Sequence, residues 1–171
     1  MERLTKEQYY DSMRGWFAGE LYNQMISNPD IIVLTGDLGF GLFDKIKKDF
    51  SNRFINCGAS EQAMLGLAVG MTYRGKIPVV YSITSFLLSR GYEWLRNYID
   101  WESAPVKLVG SGRGTDYKHD GFTHHSDDAR SVLGNLGNIK QLWPEKKEDM
   151  IESVRELINN GKPTFMSLRR G

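Results

Sequence analysis

One cysteine, Cys57, stands among 171 residues, so no disulfide can form within the chain. That fits a reducing compartment, and cytoplasm is the expected setting. Neither sign of charge is in excess: 22 Lys and Arg oppose 21 Asp and Glu, for a formal net charge of +1. This excludes a nucleic-acid or membrane-surface binder that works by bulk electrostatics. Long hydrophobic runs are missing too. No window approaches the ~18 apolar residues of a membrane-spanning helix, and residues 1–21 lack the apolar stretch of a secretory signal. Repeats, low-complexity tracts and linker-like segments are also missing. The length is near that of one domain, so residues 1–171 read as a single domain. Only three histidines occur, and all lie within residues 119–125.

What is present is ordinary for a soluble globular chain: 40% apolar and 25% charged residues. Thr5 with Gln8 fits a capping box, which predicts a long helix to about Ser27. "IIVLT" (31–35) is a continuous β-branched run, the mark of a strand buried on both faces. Further strands are expected in "RFINCG" (53–58), "IPVVYSI" (77–83), "PVKLVGSG" (105–112), "IKQLW" (139–143) and "TFMSL" (164–168). Helices are expected after Ser60 as N-cap with Gly75 past the end, over 86–101, over Asp127–Leu133 and over Glu145–Ile158. Strands alternating with helices predict an α/β fold, a three-layer sandwich with a mostly parallel sheet. Ligands in such sheets bind beyond the carboxyl ends of the strands. The loops to search are therefore 36–41, 57–61, 84–86, 111–125 and 169–171.

In the second of these lies Glu61, in the first turn of its helix. There a carboxylate gains from the helix dipole, and position alone allows that bland role. Ala63, Gly66, Ala68 and Gly70 follow at helical spacing and leave room for another backbone, at a domain centre or subunit interface. Burial works against the charge on Glu61 and the dipole works for it, which suits the group to proton exchange. "YKHDGFTHHSDD" (117–128) gathers His119, His124 and His125. Asp120, Asp127 or Asp128 could join them on zinc, but the spacing matches no standard zinc pattern, and a sugar or phosphate site fits the loop better. Arg169 and Arg170 follow an apolar strand and become a phosphate clamp if the loops converge there. Cys57 reads as a small core residue or, with a histidine as base, a nucleophile. "GDLGFG" lacks the lysine of a phosphate-binding loop.

Taken in order, "GDLG", "RFINCGASEQAMLGLAVGM", "VVYSITSFLLSRGYEWLRNY", "HDGFTHH", "NIKQLWP" and "SLRRG" resemble the pyrimidine-binding domain of transketolase and deoxyxylulose phosphate synthase. These are thiamine diphosphate enzymes. The resemblance implies that fold type and gives Glu61 a role: the family's acid hydrogen-bonds N1′ of the cofactor's aminopyrimidine and promotes loss of the thiazolium proton. It implies that Phe86 stacks on the pyrimidine, with Leu87 or Leu88 there in a shifted register. Asp37 maps onto an acid near the cofactor. Asp120 and His124 map onto contacts to donor-substrate hydroxyls, and Arg170 onto a holder of the substrate phosphate.

The chain also departs from the family. "HDG" stands for "EDG", His125 for the usual Gln, and Gln62 for the common His after the acid. The "GDG…N" segment that holds Mg²⁺ and diphosphate is missing, as is the third, C-terminal domain. The resemblance therefore implies one subunit of a split enzyme, with Mg²⁺ bound mainly by a diphosphate-binding transketolase-like partner. The expected assembly is a homodimer core within a heterotetramer. The expected reaction cleaves a bond next to a carbonyl in a phosphorylated or hydroxylated keto substrate and passes a two-carbon or acyl unit to an acceptor. Other readings are a non-catalytic regulatory or assembly subunit of the same fold, and a metal- or cysteine-dependent hydrolase.

Overall fold

The computed structural model describes residues 1–170. Six strands, β1 (Ile31–Thr35), β2 (Phe54–Asn56), β3 (Ile77–Ile83), β4 (Lys107–Ser111), β5 (Lys140–Leu142) and β6 (Thr164–Leu168), form one sheet in the order β2-β1-β3-β4-β6-β5. Every pairing is parallel, so the sheet is wholly rather than mostly parallel. In register, Leu34, Val80, Leu108 and Phe165 line up across four strands and point into one core. The alternate residues Val33, Val79, Tyr81, Val109 and Met166 point into a second core on the other face. Two buried faces explain why the strands read as unbroken apolar runs.

Helices α1 (Met13–Ser27), α2 (Asp44–Asp49) and α7 (Met150–Asn159) bury residues in the core with Val33 and Tyr81. Helices α3 (Glu61–Thr72), α4 (Thr84–Arg90), α5 (Tyr92–Trp94), the π-helical turn Leu95–Trp101 and α6 (Ala129–Gly134) cover the opposite face. Helix α3 is the one expected after Ser60, although the Ser60 hydroxyl makes no capping bond.

Three expected elements differ. The first helix does not start at Thr5. The Gln8 side chain accepts from the Thr5 N–H at 2.8 Å, but this closes only the short turn Lys6–Gln8, and α1 starts after Ser12, whose hydroxyl accepts from the Gly15 N–H at 3.0 Å. The reason is packing. The chain folds back so that Tyr10 and Tyr9 lie on Gly15 and Gly19, where an added Cβ would stand 2.3 and 2.2 Å from them. The helix expected over 86–101 starts at Thr84 and breaks at Gly91, where Leu65 of α3 enters and a Cβ would lie 2.1 Å from its Cδ1. The helix expected from Glu145 starts at Met150, because the Asp149 carboxylate accepts from the N–H groups of Glu145 and Lys146 and holds the chain in a turn. Helix α2 escaped sequence reading: only Ile46 of its six residues is buried, too little for a periodic signal.

Candidate active site

The chain after β1 and β2 and the end of β3 meet around Glu61: a Cβ on Gly36 would stand 3.4 Å from its Oε1 and from the Gly58 carbonyl, and Ser82 of β3 bonds to it. Its side chain is 1% exposed, at the first position of α3. Oε1 accepts from Ser82 Oγ at 2.9 Å, and Oε2 accepts from Arg90 Nη1 at 2.8 Å. Two hydrogen bonds, one of them charge-assisted on both sides, and the helix N-terminus compensate the buried carboxylate. The ion pair straddles the surface, since the Arg90 side chain is 45% exposed.

A cavity of about 470 Å³ opens beside this pair, between Phe86 and Arg90 of α4 and the loop Phe122–Asp128. Phe86 is half-buried and lines it, whereas Leu87 and Leu88 are buried in the core under α3. Ser85, Phe86, Ser89 and Arg90 share the face of α4 that lines the cavity, and Leu87 and Leu88 lie on the face turned to the core. The Arg90 guanidinium lies 3.7 Å over the Phe86 ring centre. The His124 ring meets Phe86 edge-on at 4.7 Å, and Ser85 Oγ donates to the Thr123 carbonyl at 2.8 Å, tying the histidine loop to α4.

Tyr117 joins the remaining groups. Its hydroxyl lies 2.9 Å from Ser111 Oγ and accepts from Arg14 Nη1 at 3.5 Å. The Arg170 guanidinium lies 4.9 Å over its ring, and the His124 ring is 6.3 Å away. Gly112 makes this placement possible, since a Cβ there would sit 2.3 Å from the ring. The Asp116 carboxylate accepts from the Arg170 N–H at 2.9 Å and fixes the end of the chain. Arg14 also lines a second cavity of about 480 Å³ with Ser12 and Gly39–Leu42, and among the described residues its buried Nε has no partner.

Asp37 is exposed after β1 in the left-handed region, φ 58°. Asn56 holds it, accepting from its N–H at 2.9 Å and donating to its carboxylate at 3.1 Å. Asp120 is exposed at the rim, as is His119. Arg169 turns elsewhere, to Glu145. Burial pushes the Cys57 thiol up, away from the thiolate a nucleophile needs. Among the described residues, no three His, Cys, Asp or Glu side chains are grouped to hold a metal ion, and no helix is long and apolar enough to cross a membrane. Of the small residues on α3, Gly66 receives Trp94 of the same chain and Ala68 is buried, whereas Ala63 and Gly70 are exposed, as is Leu67 between them.

Of the residues that sequence reading singled out, Glu61, Phe86, His124 and Arg170 lie together at one end of the sheet, with Asp37 and Asp120 on its rim. Sequence reading missed Ser82, Arg90, Arg14, Tyr117 and Asn56. A serine inside the apolar strand "VVYSI" was a signal for Ser82. The others are ordinary surface types, and only the fold brings them together.

Residues 12–171 match the family model described as transketolase, pyrimidine binding domain. The chain is 31% identical over 121 residues to an apulose-4-phosphate transketolase subunit of Actinobacillus succinogenes, covering 71% of this chain and 39% of that one. It is 26% identical over 162 residues to a putative transketolase C-terminal section of Methanocaldococcus jannaschii, covering 94% and 51%. The chain therefore spans about half or less of these relatives. Among solved structures, a split gene transketolase described as an inactive beta4 tetramer matches with TM-score 0.83 and 25% identity, over 94% of this chain and 51% of that one. Transketolase from Leishmania mexicana shares the fold, with TM-score 0.81 and 18% identity over 98% of this chain and 26% of that one.

Proposed function

Since the chain belongs to the transketolase pyrimidine-binding domain family, we propose that residues 1–171 act as one pyrimidine-binding domain, a subunit of a split, thiamine diphosphate-dependent transketolase-like enzyme. The enzyme cleaves a carbon–carbon bond next to a carbonyl and passes a two-carbon or acyl unit to an acceptor. Its setting is carbohydrate metabolism in the cytoplasm. The observation that carries this reading is Glu61, a carboxylate almost wholly withdrawn from water and paired with Arg90, which lines a cavity together with the half-buried Phe86. These residues suit an aminopyrimidine, which offers a flat ring and a basic ring nitrogen.

Thiamine diphosphate, when bound, supplies the electron sink for the bond cleavage. The chain's residues do the rest. Ser82 holds Oε1 of Glu61, and Oε2, which Arg90 contacts, would share a proton with N1′ of a bound cofactor. Phe86 offers its face to the pyrimidine, and Asp37, steadied by Asn56, borders the cofactor. Asp120 and His124 bind hydroxyls of the donor. Arg170 binds a substrate phosphate, and the part-buried Arg14, joined to it through Tyr117, serves the same anion. Diphosphate and Mg²⁺ belong to a diphosphate-binding partner subunit. The exposed stripe Ala63, Leu67, Gly70 on α3 pairs two copies into the homodimer core of a heterotetramer.

Calorimetric titration of the free chain with thiamine diphosphate and Mg²⁺ tests the division of labour. A pyrimidine pocket without the diphosphate anchor is expected to bind in the millimolar to high micromolar range, on the order of 4–6 kcal/mol. Tight, Mg²⁺-dependent binding by this chain alone would overturn the split site.

A further inference from the structure

Both contacts assigned above to the aminopyrimidine are already made by one side chain of the protein itself. Arg90 Nη1 donates to Glu61 Oε2 at 2.8 Å, and its guanidinium carbon lies 3.7 Å over the centre of the Phe86 ring. A separation of 3.7 Å is van der Waals contact, so no ring can slide between them. The edge-on His124 ring, 4.7 Å away, takes another side of Phe86. Oε1 of Glu61 is engaged by Ser82. The oxygen and the aromatic face that remain are the two that Arg90 covers.

We propose that Arg90 is a placeholder for the aminopyrimidine: a planar, hydrogen-bond-donating cation that occupies the pyrimidine's place in the cofactor-free chain and leaves when the cofactor enters. The proposal rests on the pyrimidine-binding reading of Glu61 and Phe86. Guanidinium and aminopyrimidine share the features the site recognises, a flat π-system and donors that meet a carboxylate. A buried carboxylate without a partner is costly. Arg90 can supply one and withdraw. It is the last residue of α4, next to Gly91, and its side chain is already 45% exposed, so release into solvent needs only rotation of its own stem.

The test uses the chain and the free pyrimidine 4-amino-5-hydroxymethyl-2-methylpyrimidine, which has no thiazolium or diphosphate. Binding is followed by NMR, including the guanidinium Nε–H signal of Arg90, assigned from its loss in Arg90→Lys. The expected result is that this signal moves to the position of a solvent-averaged arginine as the pyrimidine binds. Arg90→Ala is expected to bind the pyrimidine about fivefold more tightly or better, since no ion pair must first be broken. The free Arg90→Ala chain is expected to melt at a lower temperature, its Glu61 being unpaired. Arg90→Lys keeps the charge without the plane and is expected to fall between. An Arg90 signal that stays put, or weaker binding by Arg90→Ala while wild type binds, overturns the placeholder and leaves the pyrimidine site standing. Failure of wild type and both variants to bind overturns the pyrimidine site, and the placeholder with it.

Discussion

The two ends of the sheet each bury a charged side chain, and they treat it in opposite ways. At the carboxyl end, Glu61 meets an ionic partner that is half in water and stands beside a cavity. At the amino end, Lys107 is 1% exposed and donates to two neutral acceptors, Asn160 Oδ1 at 2.8 Å and the Lys162 carbonyl at 2.6 Å. Burial without a counter-charge pulls its amine down to about 8. The acceptors come from the turn between α7 and β6, so Lys107 ties that turn to the sheet. One buried charge can exchange its partner from the solvent side, and the other cannot. The difference follows strand direction, because loops at the carboxyl ends of parallel strands diverge and leave room for a ligand.

The sharpest way to break the comparison is to neutralise the exchangeable end. Glu61→Gln keeps the shape and the Ser82 bond but cannot share a proton with N1′. In the complex with its diphosphate-binding partner, hydrogen–deuterium exchange at the thiazolium carbon is expected to slow by ~10²-fold or more, with the fold intact by circular dichroism. Unchanged exchange would reduce Glu61 to a structural acid like any other.

Lys107 gives the next effect, in stability rather than chemistry. Its folded value, about 8, lies below the ordinary 10.5, so between these pH values the unfolded chain holds a proton that the folded chain has lost. Stability then rises with pH across that window, by on the order of 3 kcal/mol, and is flat on its account outside it. Urea unfolding at pH 7.5 and pH 10, compared with Lys107→Met, isolates the contribution. Equal pH dependence in the two proteins would show that the lysine is hydrated and the contrast between the ends false.

The smallest effect tests where the exchangeable end stops. Asp120→Ala and His124→Ala are expected to weaken use of a hydroxylated donor by about 1–3 kcal/mol each while cofactor binding changes little. Measuring kcat/KM for the donor beside cofactor affinity separates the two. An equal loss in both would extend the cofactor site to the rim.

The sequence determined the layering of this protein. Continuous apolar runs such as "IIVLT" and "IPVVYSI" fix a parallel sheet buried on both faces, because only such a sheet hides every side chain of a strand. It also pointed to the end of the sheet to search, since a parallel sheet binds at its carboxyl ends and the order of motifs around Glu61 is specific. What it misjudged were local breaks. The capping signal at Thr5 is real but ends in a turn, because Gly15 and Gly19 receive Tyr10 and Tyr9. The break at Gly91 exists because Leu65, 26 positions earlier, needs the space. Neither can be read from a window of neighbours. The same limit hid Arg90, Tyr117, Arg14 and Lys107. Their types are common on any surface, and their meaning comes from distant partners: Glu61 lies 29 positions from Arg90, Arg14 and Tyr117 are 103 apart, and Asn160 is 53 from Lys107. Periodicity and local propensity are short-range and legible in sequence. The pairing of a buried charge is a long-range contact that only the folded chain decides.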